Sequence, residues 1–358
     1  MVVCQIGEGH CRRMAPFKLK RYDKNPILSP DPKSSWENRV ITNPGAIYEP
    51  KEKKVYMLYR AAGMEPEHKI YMGLATSTNG YDFKRVSDQP AFRPGDYGID
   101  GGCVEDARIH KIGDWYVVTY GTRPFPPGYY WLPEKERPWV APKLPEDLPW
   151  LMRTNAMTGA IAFTKDFKTW YRGGRQTSAL ANDHDVVIFD QKIGGKWWLI
   201  HRAEDLVGPK HGTPVPAMWI YPTEDLLHFP REGSRLLIKP KYWWEEKKMG
   251  ASNPPIQTPH GWLVFYHGLD VAKSHYHIGA MLVDRKDPTK VLHRMTEPML
   301  SPETPYELDG YYSGVCFPCG HAIIDGTFFM YYGGADKYVA VATCKFQELI
   351  DHVRSCPA

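Results

Sequence analysis

DVVIFDQKIGGKWWLIHRA, residues 185–203, decides how the rest of the chain is read. Two runs of β-branched, aliphatic and aromatic residues flank the polar, glycine-bearing break KIGGK, which is the pattern of two antiparallel strands joined by a turn. The second run recurs four more times. VYMLYRA starts at Val55, WYVVTYG at Trp115, GWLVFYHG at Gly261 and FFMYYGG at Phe328, at intervals of about 60 to 80 residues. Each is preceded by a strand-like run (PGAIYEP, EDARIHKI, DVVIFDQKI, PPIQTPH, CGHAIID) and followed by another (YMGLATS, GAIAFTK, AMWIYPT, HIGAMLV, YVAVATC). The breaks KIGD, TPHG and IDGT supply the turns.

The unit is therefore three or four antiparallel strands, repeated five times as structure and not as a sequence duplication. Five such units set radially predict an all-β fold, a five-bladed β-propeller, which leaves only short protected edges. One catalytic-size domain spanning 1–358 accounts for the whole length. A β-sandwich with an accessory domain is the alternative, but it offers no reason for a fivefold interval. One stretch breaks the period. Residues 124–150, PFPPGYYWLPEKERPWVAPKLPEDLPW, hold eight prolines with Tyr129, Tyr130, Trp131, Trp139 and Trp150. They predict a long irregular insertion in the second blade, either a surface loop packed by its own aromatics or a lid whose rings stack on sugar faces.

Composition narrows the function classes. Lys and Arg number 45 against 41 Asp and Glu, a net +4 spread through both halves, which is no footprint of nucleic acid or of an anionic membrane. Twelve Trp, 22 Tyr, 32 Pro and 31 Gly beside 24% charged residues exclude a disordered chain, a coiled coil and a helical bundle. The mean hydropathy is -0.47, and no apolar run approaches the ~18 residues that span a bilayer. The start, MVVCQIGEGHCRRM, lacks the apolar core of a secretory signal, so a cytoplasmic location is expected. Cysteines stand at 4, 11, 103, 316, 319, 344 and 356; the Cys316/Cys319 pair lacks the second pair of a zinc site, and reduced thiols are expected. His275 and His277 lack a third ligand and no dinucleotide-binding glycine motif is present, so no metal and no organic cofactor is implied.

In a propeller the first strand of each blade lines a central channel. Those strands start with Asn43 in TNPGA, Glu105 and Asp106 in GGCVEDARI, Asp183, His184 and Asp185 in NDHDVVIF, Asn253 in GASNPP, and the Cys316–Cys319 turn. Arg60, Arg202, His267 and Asp336 end the second strands at corresponding places. Each has a plainer reading as an ion pair or turn cap, Asp106 with Arg108 or Asp185 with Arg202 for instance. Convergence of the set at one mouth favours a cleft with perturbed ionisation.

At these residues the chain resembles glycoside hydrolase family 130, the β-mannoside phosphorylases and related β-mannosidases on five-bladed propellers. The resemblance runs through KNPILSP, NPGAIYE, LYRAAG, GLATSTNGYDF, GGCVEDARI, DVVIFDQKIGGKWWLIHR, KKMGASNPP, FYHG and YYGGADKYVAVAT. It implies inverting phosphorolysis of a β-mannoside to mannose 1-phosphate, with Asp106 as general acid acting through the 3-hydroxyl of the mannosyl unit. It also implies inorganic phosphate as co-substrate, held by Arg60, Lys248, His267, Asn43 and Arg202. A guanidinium fork, an ammonium and further donors suit such a dianion. On the sugar side stand Glu105, Asp185, His184 and Asp336, with Tyr129 and Trp131 from the insertion.

Two departures lean toward water as nucleophile. His184 stands where a Lys or Arg is common, and Glu204 and Asp205 follow Arg202 where a proline is usual. An inverting β-mannosidase would need a carboxylate base, Glu204 or Glu224. A third reading, from another class, is a glycan-binding propeller without turnover. The expected partner is a β-mannoside oligosaccharide of unspecified linkage and acceptor, with no nucleic acid and no membrane; exposed rings of the insertion would also suit a homo-oligomer interface.

Overall fold

A computed structural model describes residues 16–178, 180–227 and 232–358. Cys4, Cys11 and the start MVVCQIGEGHCRRM lie outside the described residues. The described cysteines, 103, 316, 319, 344 and 356, are all free thiols.

The strands form five successive antiparallel meanders. The first unit is Val40–Glu49, Lys54–Ala62, Ile70–Ser77 and Lys84–Arg85; the second is Cys103–Ile112, Trp115–Arg123, Thr158–Thr164 and Tyr171–Arg175. The third is Asp183–Ile188, Trp197–Ala203, Met218–Thr223 and Arg235–Ile238. In the fourth, two short strands, Lys248–Ala251 and Ile256–Thr258, share the partner Gly261–Leu269, followed by Tyr276–Val283 and Val291–Arg294. The fifth, Cys316–Ile324, Thr327–Gly334 and Tyr338–Lys345, takes its fourth strand from the other end of the chain, Lys20–Arg21. Arg21 locks that junction through Nε to Glu307 Oε1 at 2.8 Å.

The aromatic second strands are buried because they lie mid-meander and pack on both faces. Five apolar clusters fill the spaces between neighbouring units. Leu58, Met72 and Leu74 meet Val104, Ile109 and Val118; Val117 and Ile161 meet Val186, Ile188 and Leu199. Ile200 and Ile220 meet Val264 and Met281, and Phe265 and Leu282 meet Met330 and Tyr332. The fifth cluster returns to the start, setting Tyr331, Val339 and Val341 against Ile41, Met57 and Tyr59.

The first strands share a defect that aims side chains. Register shifts by an extra residue between Thr42 and Gly45, between Glu105 and Arg108, and between His184 and Val187. Within each bulge one residue is left-handed: Asn43 at φ 45°, Asp106 at 55° and Asp185 at 57°. Asn and Asp tolerate that region because their short polar side chains bond locally, and bulges recur where a side chain must be re-aimed. The segment Cys316–Cys319, expected as a turn, is instead strand, with its own register break between Pro318 and Gly320. Close approach explains two glycines here. A Cβ on Gly45 would meet the Ala107 carbonyl oxygen at 2.3 Å, and one on Gly320 the Ala46 nitrogen at 1.9 Å.

Polar ties cross the same centre. Asp185 receives Arg202 Nε at 2.7 Å from its own unit and Arg108 Nη2 at 3.4 Å from the second, and lies 3.5 Å from His267 Nε2 of the fourth. Arg108 also donates to the Asp106 carbonyl at 2.8 Å and the Ser252 carbonyl at 3.2 Å. Burial alone would raise the Asp185 carboxyl, but the Arg202 charge foremost, with Arg108, overrides it and holds it well below the usual range. Its stabilising charge is therefore complete above the ordinary carboxylate pKa of ~4 and is lost only as pH falls through the depressed folded value. Replacing Asp185 by Asn leaves buried Arg108 without its carboxylate partner and Arg202 with Glu204 alone, and is expected to lower the unfolding free energy by about 3–5 kcal/mol at neutral pH, read by urea denaturation. A loss below about 1 kcal/mol would show that the pairing does not hold the units together.

Candidate active site

The left-handed bulges bring Asn43, Asp106 and Asp185 to one cavity of about 270 Å³, whose wall also includes Arg60, His184, Arg202, Lys248, Tyr276 and Asp336. A second cavity of about 410 Å³ adjoins it, lined largely by the connection between Arg123 and Thr158. Arg60, Arg123, Tyr130, Met157 and Asp336 line both.

One side of the inner cavity is acidic. Asn43 Nδ2 donates to Asp106 Oδ1 at 2.9 Å, while Thr42 Oγ1 donates to Asn43 Oδ1 at 3.0 Å, so the amide is oriented and the Asp106 carboxylate is held. Arg60 Nη1 lies 2.9 Å from Glu105 Oε2 and 3.5 Å from Asp106 Oδ1. Arg60 Nη2 donates to the Tyr130 hydroxyl at 3.2 Å, and that hydroxyl donates to Asp336 Oδ2 at 3.1 Å. Three carboxyls thus share one guanidinium. Burial raises the Glu105 carboxyl, with Arg60 opposing and Asp106 adding to the rise; burial likewise raises Asp336 against the pull of Arg60. Like charges in a dry site favour holding a proton.

The other side is basic. Arg202 binds Asp185 and also Glu204, Nη1 to Oε1 at 3.2 Å, and its Nη2 lies 3.1 Å from His184 Nε2. Burial first, and then the Arg202 charge, lower His184, so the imidazole is neutral. Lys248 differs from these. Its ammonium has no carboxylate partner within ion-pair distance among the described residues and sits 5.0 Å from the Tyr276 ring centroid. Burial, and then the neighbouring Arg202, lower its pKa to about 8.

Several expectations need correction. His267 is fully buried and absent from the cavity wall; it lies behind Asp185 with its ring 4.7 Å from that of Phe317, and burial drives its pKa well below the usual value, so it is no phosphate cation. Tyr129 and Trp131 do not reach either cavity. They stack on each other at 4.9 Å under the Arg39 guanidinium, and the Tyr129 hydroxyl binds the Met64 carbonyl at 2.7 Å. Tyr130 between them is the ring that enters. Glu224 lies past the end of the third strand of its unit, 78% exposed and 3.2 Å from Lys196, remote from the cavity. Glu204 stands at the rim on Arg202 and His184; its bond to His184, against burial, and then the Arg202 charge lower its pKa to about 2. Arg108, Arg123, Tyr276 and Phe317 were not singled out from sequence as site residues. Arg108 alone carried a signal, two places after Asp106, yet its carboxylate partner is Asp185.

No group of three or more His, Cys, Asp or Glu among the described residues is placed to hold a metal ion, and no described helix is long and apolar enough to cross a membrane.

Comparison with known proteins gives the arrangement its kin. Residues 152–355 match the family model of glycoside hydrolase 130, described as beta-1,4-mannooligosaccharide phosphorylase. A beta-1,2-mannobiose phosphorylase of Thermoanaerobacter sp. (strain X514) is 31% identical over 93% of this chain and 99% of its own length. The solved structure of a Listeria innocua beta-1,2-mannobiose phosphorylase in complex with beta-1,2-mannobiose is 25% identical, with TM-score 0.72 over 94% of this chain and 99% of that one. A further structure, from work on family 130 hydrolases that target beta-1,2 mannosidic linkages in Candida mannan, shares the β-propeller-like fold at 23% identity, TM-score 0.73 and 94% and 96% coverage. With a family model matched over more than half its length and a relative of this likeness along nearly all of it, the chain belongs to glycoside hydrolase family 130.

Proposed function

We propose that this enzyme performs inverting phosphorolysis of a β-mannoside in the inner cavity, with Asp106 as general acid and Lys248 as the principal phosphate cation. The observation that carries this reading is the segregation of charge: Asp106 beside the carboxyls Glu105 and Asp336 on one side, and on the other the Lys248 ammonium, with no carboxylate within ion-pair distance among the described residues. A phosphate oxygen attacks the anomeric carbon from the basic side, and the bond to the leaving oxygen breaks toward the acidic side. The proton of Asp106 reaches that oxygen through the mannosyl 3-hydroxyl, as the family resemblance implies, and α-mannose 1-phosphate departs. Arg202 contributes less charge than its type suggests, because Asp185 and Glu204 already pair with it. Asn43 and Arg60 orient the acid rather than the phosphate. Asp185, His184 and Asp336 line the inner cavity, and Glu105 lines the outer one beside Arg60. We read the five meanders as blades of one five-bladed propeller spanning 1–358, supported by the strand Lys20–Arg21 in the last unit and by the cluster joining last unit to first.

Hydrolysis is the second reading, and Glu204 is its only carboxylate near the basic wall among those named for it. A carboxylate held at about 2 is a weak general base near neutral pH, which favours phosphate over water.

Incubated with β-1,2-mannobiose, the protein is expected to release mannose 1-phosphate only when phosphate is supplied; phosphate-independent release of free mannose would overturn phosphorolysis. Asp106→Asn is expected to lower kcat by about 10²–10⁴-fold while the substrate still binds. Lys248 is charged below about 8 and neutral above, so phosphate binding should weaken as pH rises through that value. The ratio kcat/KM for phosphate is expected to fall between pH 7 and 9, and Lys248→Arg to shift that fall to higher pH. A flat profile in the wild type would remove Lys248 from the phosphate site.

A further inference from the structure

The outer cavity is built by the connection between Arg123 and Thr158, which is braced within itself and tied to the first unit. Arg123 Nη1 donates to the Asn155 carbonyl at 2.7 Å, and the Asn155 side chain accepts the Phe125 N–H at 2.9 Å. The Gly128 N–H donates to the Glu67 carbonyl at 3.0 Å. It is a wall, not a loose flap.

Within it Arg137 is posed unusually. Its Nε donates to the Leu132 carbonyl at 2.9 Å and its Nη2 to the Tyr130 carbonyl at 3.1 Å, while Nη1 has no protein partner among the described residues. Arg137 lines the outer cavity. A guanidinium pinned on one edge loses little rotamer entropy when its other edge binds, so it is a pre-organised donor for oxygen acceptors. The inner cavity holds the acid and the phosphate cation, and the two cavities meet at Arg60, Tyr130 and Asp336. On the phosphorolysis reading, the space beyond that junction, reached past the acidic side, receives the leaving sugar.

We propose that Arg137 is a specificity-determining contact for the leaving sugar, donating to its hydroxyl oxygens in the outer cavity. The inference rests on the phosphorolysis reading above. Tyr130 is the positioning residue of the same device: its carbonyl holds Arg137 and its hydroxyl bridges Arg60 to Asp336, so sugar seating and the acidic wall are mechanically joined.

The reverse reaction separates the two sides, with mannose 1-phosphate as donor and mannose or β-1,2-mannobiose as acceptor. Arg137→Ala is expected to raise the acceptor KM about tenfold, the loss of one charge-assisted hydrogen bond, with the KM for mannose 1-phosphate unchanged within about twofold. Arg137→Gln, whose amide can still reach a carbonyl of the connection, guards against misfolding and is expected to show the same split with an unaltered melting temperature. An unchanged acceptor KM, or both constants rising together, overturns the inference and leaves phosphorolysis standing. Absence of wild-type turnover in either direction overturns the activity and this inference with it.

Discussion

The Asp185 carboxylate lies nearly buried between two guanidinium groups, and both the packing of the units and the division of charge in the site follow from that. Removing a carboxylate from water is costly, and only close, multiple partners offset the loss. Arg202 and Arg108 provide them from different units, and Arg108 continues to the carbonyls of Asp106 and Ser252. Side chains and carbonyls of three units are thereby fixed relative to one another. The same pairing consumes much of the charge of Arg202, which leaves Lys248 as the cation whose field is least compensated.

The acidic wall obeys the opposite arithmetic. Among the described residues Arg60 is the one cation in ion-pair contact with Glu105 and Asp106, and it reaches Asp336 through the Tyr130 hydroxyl; burial raises the Glu105 and Asp336 carboxyls. Asp185 and Glu105 are both deeply buried carboxylates, yet one is depressed and the other raised. The difference is the ratio of carboxyls to guanidiniums around each, not the depth. The proposed phosphorolysis, which releases a proton on one side and holds a dianion on the other, draws on two such environments.

The strand order was legible because aromatic and β-branched runs with polar breaks are local signals, and all five second strands lie where the pattern puts them. The fourth strands were not. Lys84–Arg85 and Lys20–Arg21 are two charged residues each, and the latter finds its partner at Ala342 and Thr343, over 300 positions away. Asn43, Asp106 and Asp185 were readable by type, but their left-handed bulges were not, since nothing in TNP, VED or HDV states a register shift. In Tyr129–Tyr130–Trp131 the composition marks aromatics without saying which ring faces the cavity. His267 shows the limit of positional analogy. It stands where Arg60 and Arg202 stand, but its imidazole packs against the Phe317 ring, 3.5 Å from Asp185, and is off the cavity wall.

That positional equivalence explains how one scaffold carries so uneven a site. Thr42 pairs with Arg60, Glu105 with Gly121, His184 with Arg202, and Gly250 with His267. The backbone geometry is common while the side chains differ in charge and size. Gly121 is the informative member, because a Cβ there would meet the Glu105 Cγ at 3.3 Å. The missing side chain leaves Glu105 room to lie beside Arg60 of the preceding unit, so the acidic wall depends on an absence in one unit and a guanidinium in the next. Since the apolar contacts between units lie on the flanking strand positions, such exchanges at the bulge alter the chemistry without repacking the interfaces.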